Sequence, residues 1–129
     1  MKILKKLRVR TFWPALVWSI IATALFCMPG EEFPKAGWLD LLHIDKLIHI
    51  AFFVLFMLLW CLPLESRIHD ENQRALRYIW IGIAFVVYGV AIEFVQKNFI
   101  PHRSFDFFDI VADAVGCIIG WVIVKYIPR

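Results

Sequence analysis

The sequence has 129 residues, the length of one domain, and 61% of them are hydrophobic. The mean hydropathy of +0.71 is well above that of a soluble domain, so the composition indicates a membrane protein. The net charge of +3 does not indicate nucleic-acid binding, because the basic residues concentrate in Met1–Arg10, directly before the first apolar run. The composition therefore excludes a water-soluble globular domain and a nucleic-acid-binding protein.

The N-terminal segment combines a basic start with an apolar stretch, as a secretory signal does. Residues Ala24–Cys27 partly resemble a lipoprotein cleavage box, but Phe26 is too large for the position before the cut. We therefore expect an uncleaved first span, with cleavage as the alternative. Cys27, Cys61 and Cys117 lie in or beside apolar runs without a CxxC pair, which predicts small buried side chains.

Four apolar runs approach the roughly 20 residues that a helix needs to cross about 30 Å of hydrocarbon. They are Phe12–Met28, Leu47–Leu64, Tyr78–Val95 and Phe107–Val124. The runs lack the polar alternation of strands, and isolated strands cannot satisfy their backbone groups in lipid. We predict an all-α membrane protein, a four-transmembrane-helix bundle that forms a single domain over residues 1–129.

The distribution of Lys and Arg predicts the orientation of the bundle. The N-terminal tail, the connection Glu65–Arg77 and the C-terminal end carry ten of these residues, against four in the other two connections. Because cytoplasmic loops are enriched in Lys and Arg, both termini are predicted to be cytoplasmic. The connections Pro29–Lys46 and Gln96–Asp106 would then be the outer loops.

Ionisable side chains concentrate at the predicted outer end of the last three spans. A charge within the hydrocarbon costs about 2.5–3.5 kcal/mol on insertion scales, so its position indicates function. Helical spacing places these groups on stripes that face neighbouring helices. The predicted binding residues are Asp45, Lys46, His49, Glu93, Gln96, Arg103, Asp106, Asp109 and Asp113. The first span carries no charge and is expected to face lipid, outside the site.

Small residues on the same stripes are expected to pack the helices closely. Gly82 and Gly89 share a stripe with Glu93, while Gly116 and Gly120 form a GxxxG motif in the last span. This arrangement predicts that the polar stripes face helices and not lipid.

Three motifs carry a resemblance to a known family. They are Asp45-Lys46-x-x-His49, Glu93-x-x-Gln96, and Arg103-Ser104-Phe105-Asp106-x-x-Asp109 leading to Gly116 and Gly120. In this order and spacing they resemble the VanZ-like family of bacterial membrane proteins, over about residues 40–124. The resemblance implies four or five membrane helices, a multi-pass protein of the bacterial cytoplasmic membrane, and a link to tolerance of the glycopeptide teicoplanin. The family usually has Asn at the position of Asp113, so no mechanism is implied there.

Three classes of function fit the predicted site. The preferred one is a non-catalytic module that binds a lipid, an envelope precursor or a partner protein, because no known catalytic motif is present. An alternative is an enzyme acting on a lipid-linked cell-wall precursor at the outer leaflet, with His49, Glu93 and Asp109 as candidate catalytic groups. Lys46 and Arg103 could then hold a phosphate, and Asp106 with Asp109 a divalent cation, although no cofactor is identified.

The third class is proton or ion transport, which intramembrane carboxylates can support. The inner halves of the predicted spans contain no ionisable path, which argues against it. Some residues also have a structural alternative: Asp45 and Asp106 are placed to cap helices, each worth about 1 kcal/mol, and Arg103 could pair with a carboxylate. His49, Glu93 and Asp113 lie too far inside the spans for capping, so function is the stronger interpretation for them.

Overall fold

A computed structural model of the protein describes residues 11–28, 44–101 and 104–127. The described chain forms four helices: α1 (Trp13–Phe26), α2 (Ile44–Glu65), α3 (Glu71–Phe99) and α4 (Phe107–Tyr126). Helices α2, α3 and α4 are long and apolar enough to cross a membrane, and α1 is shorter, with 14 residues. The prediction of an all-helical fold is confirmed for the described residues, with three helices able to span a membrane, whereas the fourth membrane span and the orientation of the termini stay predictions.

The third helix differs most from its predicted bounds. The apolar run begins at Tyr78, but α3 already begins at Glu71, where the Asp70 side chain accepts a 3.0 Å hydrogen bond from the backbone N–H of Asn72. Asp is a favoured N-cap because it satisfies a backbone donor that the helix leaves free. The predicted connection between the second and third spans therefore consists largely of the first turns of α3.

Helices α2 and α4 approach each other closely along the predicted GxxxG motif. A Cβ atom at Gly116 would lie 2.6 Å from the carbonyl oxygen of Ile50, and one at Gly120 would lie 2.5 Å from Cβ of Met57. Both distances are too short for any side chain, so the contact between the two helices requires glycine at these positions.

The two glycines of α3 differ from each other. A Cβ atom at Gly89 would clash with Oδ2 of Asp113, so glycine makes room for a polar side chain of α4. At Gly82 the nearest atoms belong to Met57, 3.9 Å away, which is an ordinary van der Waals contact. Close packing therefore requires Gly89 but does not account for Gly82.

A layer of aromatic side chains fills the middle of the bundle. Phe53 and Phe56 of α2 are buried, and the rings of Phe56 and Phe85 stack with their centroids 4.5 Å apart. Tyr88 of α3 packs against Phe56, and its hydroxyl shares a 2.6 Å hydrogen bond with Thr23 of α1. Aromatic pairs of this kind contribute about 0.5–1.5 kcal/mol beyond the area that they bury.

The expectation that α1 faces lipid and lies outside the site is wrong for its last turn. Phe26 is buried, and its ring lies 4.9 Å from the imidazole of His49. Its carbonyl oxygen accepts a 2.8 Å hydrogen bond from Nε2 of Gln96. The opposite face of α1 is exposed, as at Ile20. The end of α1 therefore forms a wall of the polar region.

The cysteines match their predicted environment in two cases out of three. Cys61 and Cys117 are buried, and Cys27 is half-buried. All three are free thiols, which agrees with their interpretation as small apolar side chains.

We predict that Gly116→Ala destabilises the folded protein by about 1–3 kcal/mol, because the added methyl group would meet the backbone of α2. The measurement is the free energy of unfolding of the purified protein during titration with a denaturing detergent. Gly82→Ala is the matched control, since it gains the same helix propensity without a clash. Equal stability of the two variants would contradict the packing described for α2 and α4.

Candidate functional site

Seven ionisable side chains meet at one end of the bundle, where α2, α3 and α4 come together. We call them the polar cluster: Asp45, Lys46, His49, Glu93, Asp106, Asp109 and Asp113. Side-chain exposure falls steadily along this cluster, from 61% at Asp45 and 37% at Asp106 to 13% at Asp109 and 2% at Asp113. The cluster is thus open at its outer edge and closed within the bundle.

Lys46 connects the outer part of the cluster. Its Nζ lies 2.7 Å from Oδ2 of Asp45, 2.6 Å from Oδ2 of Asp106 and 2.7 Å from Oδ1 of Asp109. An ammonium group has three N–H donors, and these contacts use all of them. In this arrangement Lys46 links α2 to the start of α4, and its expected contact with a phosphate stays a prediction.

Asp106 lies just before α4, outside the membrane-spanning helix. The hydrogen bond from Lys46 lowers the pKa of the Asp106 carboxyl below its usual value. Its Oδ1 also accepts a 2.9 Å hydrogen bond from the backbone N–H of Phe108, so Asp106 is the N-cap of α4. Asp106 therefore has the capping role that was the structural alternative for it, and it also belongs to the polar cluster. Asp45, by contrast, lies within the first turn of α2.

His49 and Asp113 form the buried part of the cluster. Nδ1 of His49 lies 2.7 Å from Oδ1 of Asp113, and the exposed fractions of the two side chains are only 7% and 2%. With Asp113 ionised, Nδ1 carries the proton and donates a hydrogen bond to the carboxylate. The second ring nitrogen, Nε2, then faces Asp109, with 3.7 Å between Nε2 and Oδ2.

Glu93 of α3 completes the cluster and is fully buried. Its Oε2 accepts a 3.1 Å hydrogen bond from the backbone N–H of Asp106. Its Oε1 has no hydrogen-bond partner among the described residues. A buried acceptor without a partner costs about 1–3 kcal/mol, so its retention calls for an explanation.

The polar cluster carries an excess of acidic groups. Among the residues that the structure describes, it contains five carboxyl groups and only two basic side chains, one lysine and one histidine. Close carboxylates either retain protons or attract a cation. The arrangement is therefore suited to a positively charged group and unsuited to a bare anion.

Two predicted site residues lie outside the polar cluster or outside the described chain. Gln96 is buried, and its Nε2 donates a hydrogen bond to the backbone of α1 instead of to a carboxylate of the cluster. Arg103 lies outside the described residues. Of the nine predicted binding residues, the structure thus brings seven together.

A second group of polar side chains, which sequence reasoning missed, lies at the opposite end of the bundle. Arg74 is only 3% exposed, and its Nε lies 3.4 Å from Oε1 of Glu65. The hydroxyl of Tyr78 also donates to this carboxylate. Arg74 and Tyr78 are spaced by four residues on the stripe that leads to Gly89, so the spacing could have revealed that α3 begins early.

The fold and the polar cluster define a small helical membrane protein with an acidic site at one end. A model of the VanZ/LLP1 family matches residues 6–128, and the chain belongs to this family. The match extends beyond residues 40–124, where the resemblance was found in the sequence, and includes the first helix. The prediction of the family is confirmed.

The chain is also similar to an uncharacterized protein of the fission yeast Schizosaccharomyces pombe. The two are 38% identical over 73 residues, which cover 57% of this chain and 41% of the relative. The chain therefore spans less than half the length of this relative. A relative thus occurs in a eukaryote, and a bacterial origin of this chain stays a prediction. No solved structure matches the chain.

We predict that Lys46→Met lowers the free energy of unfolding by about 1–3 kcal/mol, because Asp109 would lose its partner while largely buried. Lys97→Met is the matched control, since Lys97 is exposed at the end of α3, and its effect should stay within about 0.5 kcal/mol. Denaturing-detergent titration of both purified variants measures the difference. Equal effects would mean that Lys46 does not stabilise the cluster.

Proposed function

We propose that this VanZ/LLP1 family member is a non-catalytic membrane module that binds the polar group of a lipid or lipid-linked envelope precursor. The observation that best supports this proposal is the decrease in side-chain exposure along the polar cluster, from Asp45 at the edge to Asp113 inside. A site that is open at the membrane surface and closed below it suits a head group that arrives along the membrane plane. Ionisable residues within membrane helices are expected to serve function because their burial is costly.

The composition of the cluster supports function over mere stability. Replacing buried ion pairs by apolar side chains is often neutral or stabilising, so helix packing alone does not require them. Five carboxyl groups exceed what Lys46 and His49 can neutralise, and one oxygen of Glu93 has no partner within the part of the chain that the structure describes. These features reduce stability and are most simply retained for binding.

The acidic character of the cluster narrows the class of ligand. It favours a head group that carries an amine, or a phosphate that reaches the carboxylates through a bound cation. The fission-yeast relative supports a polar lipid common to bacterial and fungal membranes over a molecule confined to the bacterial wall. An effect on envelope composition or on teicoplanin tolerance would then be an indirect result of lipid binding.

A neighbouring cleft supports a lipid as the ligand. The cleft has a volume of about 450 Å³, lies between α3 and α4, and is lined by apolar side chains such as Val86 and Ile118. It also includes Ala114, the residue after Asp113, so along α4 one end of the cleft lies at the same level as the buried part of the polar cluster. An acyl chain could lie in this cleft while its head group occupies the cluster.

A second candidate is an enzyme that acts on a lipid-linked cell-wall precursor at the outer leaflet. The pairing of His49 with Asp113 favours it, because a carboxylate that orients an imidazole is a common arrangement for a general base. His49 Nε2, Glu93 and Asp109 would then face the reacting group. The cluster holds no obvious nucleophile, so water activated by His49 would have to attack.

Transport is not proposed for this chain. Along α2, the polar groups His49 and Glu65 are separated by 16 residues, or about 24 Å. The α2 side chains between these ends are apolar and include the buried Phe53 and Phe56. Along α2, protons or ions would have no chain of ionisable groups to follow.

We predict that a photoreactive benzoylphenylalanine at Phe107, an exposed position beside Asp106, captures an amphiphile in living membranes. The capture should fall at least about fivefold when Asp109→Asn is added, because the lost charge weakens head-group binding. Mass spectrometry of the adduct identifies the molecule. The same probe at Trp80 is the control. Trp80 is an exposed residue in the N-terminal half of α3, away from the polar cluster, and the probe there should capture bulk lipid regardless of Asp109.

Capture at Phe107 that does not depend on Asp109, with normal amounts of protein in the membrane, would refute a head-group site. The chemical form of the captured molecule separates the two candidates. A module releases its ligand unchanged, whereas an enzyme converts it in a manner that Glu93→Gln and His49→Gln abolish.

The excess of Lys and Arg in the tail, the second connection and the C-terminal end leads us to propose that both termini are cytoplasmic, in a bacterial cytoplasmic membrane. The polar cluster then faces the outer side. An alkaline phosphatase domain fused after Arg129 is expected to be inactive, and a fluorescent protein at the same place to be bright. The reverse pattern would place the cluster on the cytoplasmic side.

A further inference from the structure

We propose that His49, Glu93 and Asp109 bind a divalent transition-metal ion, of the Zn²⁺ or Mn²⁺ class, and that Asp113 positions the imidazole. One ligand atom from each of the three residues can be chosen so that all three lie within 4.8 Å of one another. The residues come from α2, α3 and α4, so the ion would join the three long helices. The proposal concerns the polar cluster itself and does not depend on which lipid it binds.

The separation of His49 and Asp109 fits a shared ion better than a hydrogen bond. Nε2 of His49 lies 3.7 Å from Oδ2 of Asp109, beyond hydrogen-bond length. Two ligands that each lie about 2.1 Å from a tetrahedral ion are separated by about 3.4 Å. A small adjustment of either side chain therefore brings both atoms into a first coordination shell.

Glu93 supplies the independent observation that points to a ligand. The residue is fully buried, and its Oε1 has no partner among the described residues. Its other oxygen is held by the backbone N–H of Asp106, which fixes the orientation of the carboxyl group. A metal ion would satisfy the remaining oxygen and offset the charge of the buried carboxylate.

The contact between Asp113 and His49 matches the second shell of known metal sites. Histidine ligands usually donate their other ring N–H to a carboxylate or carbonyl, which fixes the tautomer and makes the ligating nitrogen more basic. Here Asp113 takes that role at Nδ1, 2.7 Å away, and leaves Nε2 for the metal. The ring of Phe26 packs against the imidazole and shields it from the side of α1.

The neighbouring acidic group is not a metal site in this arrangement. Asp45, Asp106 and Asp109 also offer three oxygens close together. However, Nζ of Lys46 lies within 2.7 Å of an oxygen of each, so a cation already occupies their centre. This leaves the deeper group, in which His49 and Glu93 join Asp109 in place of Asp45 and Asp106, as the candidate.

The ligand set indicates the class of metal. One imidazole and two carboxylates suit Zn²⁺ or Mn²⁺, whereas Mg²⁺ prefers oxygen ligands and retains its waters. Three protein ligands leave coordination positions free for water or an oxygen of a bound molecule. If the proposed lipid ligand carries a phosphate, the ion would supply the positive charge that the acidic cluster lacks.

We test the proposal on the untagged full chain, purified in detergent, treated with a chelator and titrated with Mn²⁺ alone. Loss of the spectrum of free Mn²⁺ in electron paramagnetic resonance should show about one ion bound per chain, displaced by Zn²⁺ but not by a similar concentration of Mg²⁺. Pulsed measurements on the bound ion should show coupling to one imidazole nitrogen. That coupling should vanish in His49→Gln.

Glu93→Gln and His49→Gln should weaken Mn²⁺ binding by more than about tenfold, and Asp113→Asn by about tenfold as expected for a second-shell group. Asp45→Asn is the matched control. It removes the same charge from the same polar cluster, but from a residue that contacts Lys46, and should change the affinity by less than about threefold. Size-exclusion profiles and helical circular dichroism verify that each variant is folded.

Nitrogen coupling is measured on the wild-type protein, so the proposal stays testable if Glu93→Gln fails to fold. The proposal is overturned if neither Mn²⁺ nor Zn²⁺ binds, or if bound Mn²⁺ shows no nitrogen coupling. It is also overturned if Asp45→Asn weakens Mn²⁺ binding more than Glu93→Gln does. Repeating the capture at Phe107 with and without chelator separates the two proposals. Capture that persists without metal leaves lipid binding intact when the metal site fails.

Discussion

The close approach of α2 and α4 is the constraint on which the rest of the structure depends. Gly116 and Gly120 leave no space for a side chain between the two backbones. Their contact sets the register of the helices one to two turns further along. In that register Lys46 meets Asp109, and His49 meets Asp113. The glycines therefore determine the geometry of the polar cluster although they lie outside it.

Helix α3 supplies the remaining side of the polar cluster, which α2 and α4 leave open. Gly89 admits the carboxyl group of Asp113 to the surface of α3, and Glu93, one turn later, closes the cluster from that side. The end of α1 covers the remaining apolar side with Phe26. The carboxyl groups of Glu93, Asp109 and Asp113 are thereby held close together and largely out of contact with water, which accounts for the affinity of the site for cations.

Much of this arrangement could be predicted from the sequence, because it follows from the helical repeat of 3.6 residues and from the free-energy cost of placing charged groups in lipid. Apolar runs gave the membrane helices, and the spacing of Asp109 and Asp113 placed both on one face. Which groups touch depends on rotation and register between helices, which a single sequence does not encode visibly. The partners of Lys46, the carbonyl of Phe26 and the side-by-side placement of Gln96 and α1 could not be foreseen for that reason.

The early start of α3 was missed for a different reason. Polar composition before Tyr78 suggested a connection, but a helix continues past its apolar part when a cap and a buried partner stabilise it. Asp70 provides the cap, and the pairing of Arg74 with Glu65 provides the partner. Hydropathy locates the lipid-exposed length of a helix more reliably than its ends.

The contacts of Lys46 and His49 with α4 join residues that are 60 to 64 positions apart in the chain. Because a chain is synthesised from its N-terminus, α2 enters the membrane well before α4 exists. During that interval Lys46 and His49 lack their partners on α4, although Lys46 can already pair with Asp45, and a charge in lipid costs about 2.5–3.5 kcal/mol. The polar cluster therefore cannot be complete until α4 has packed against α2.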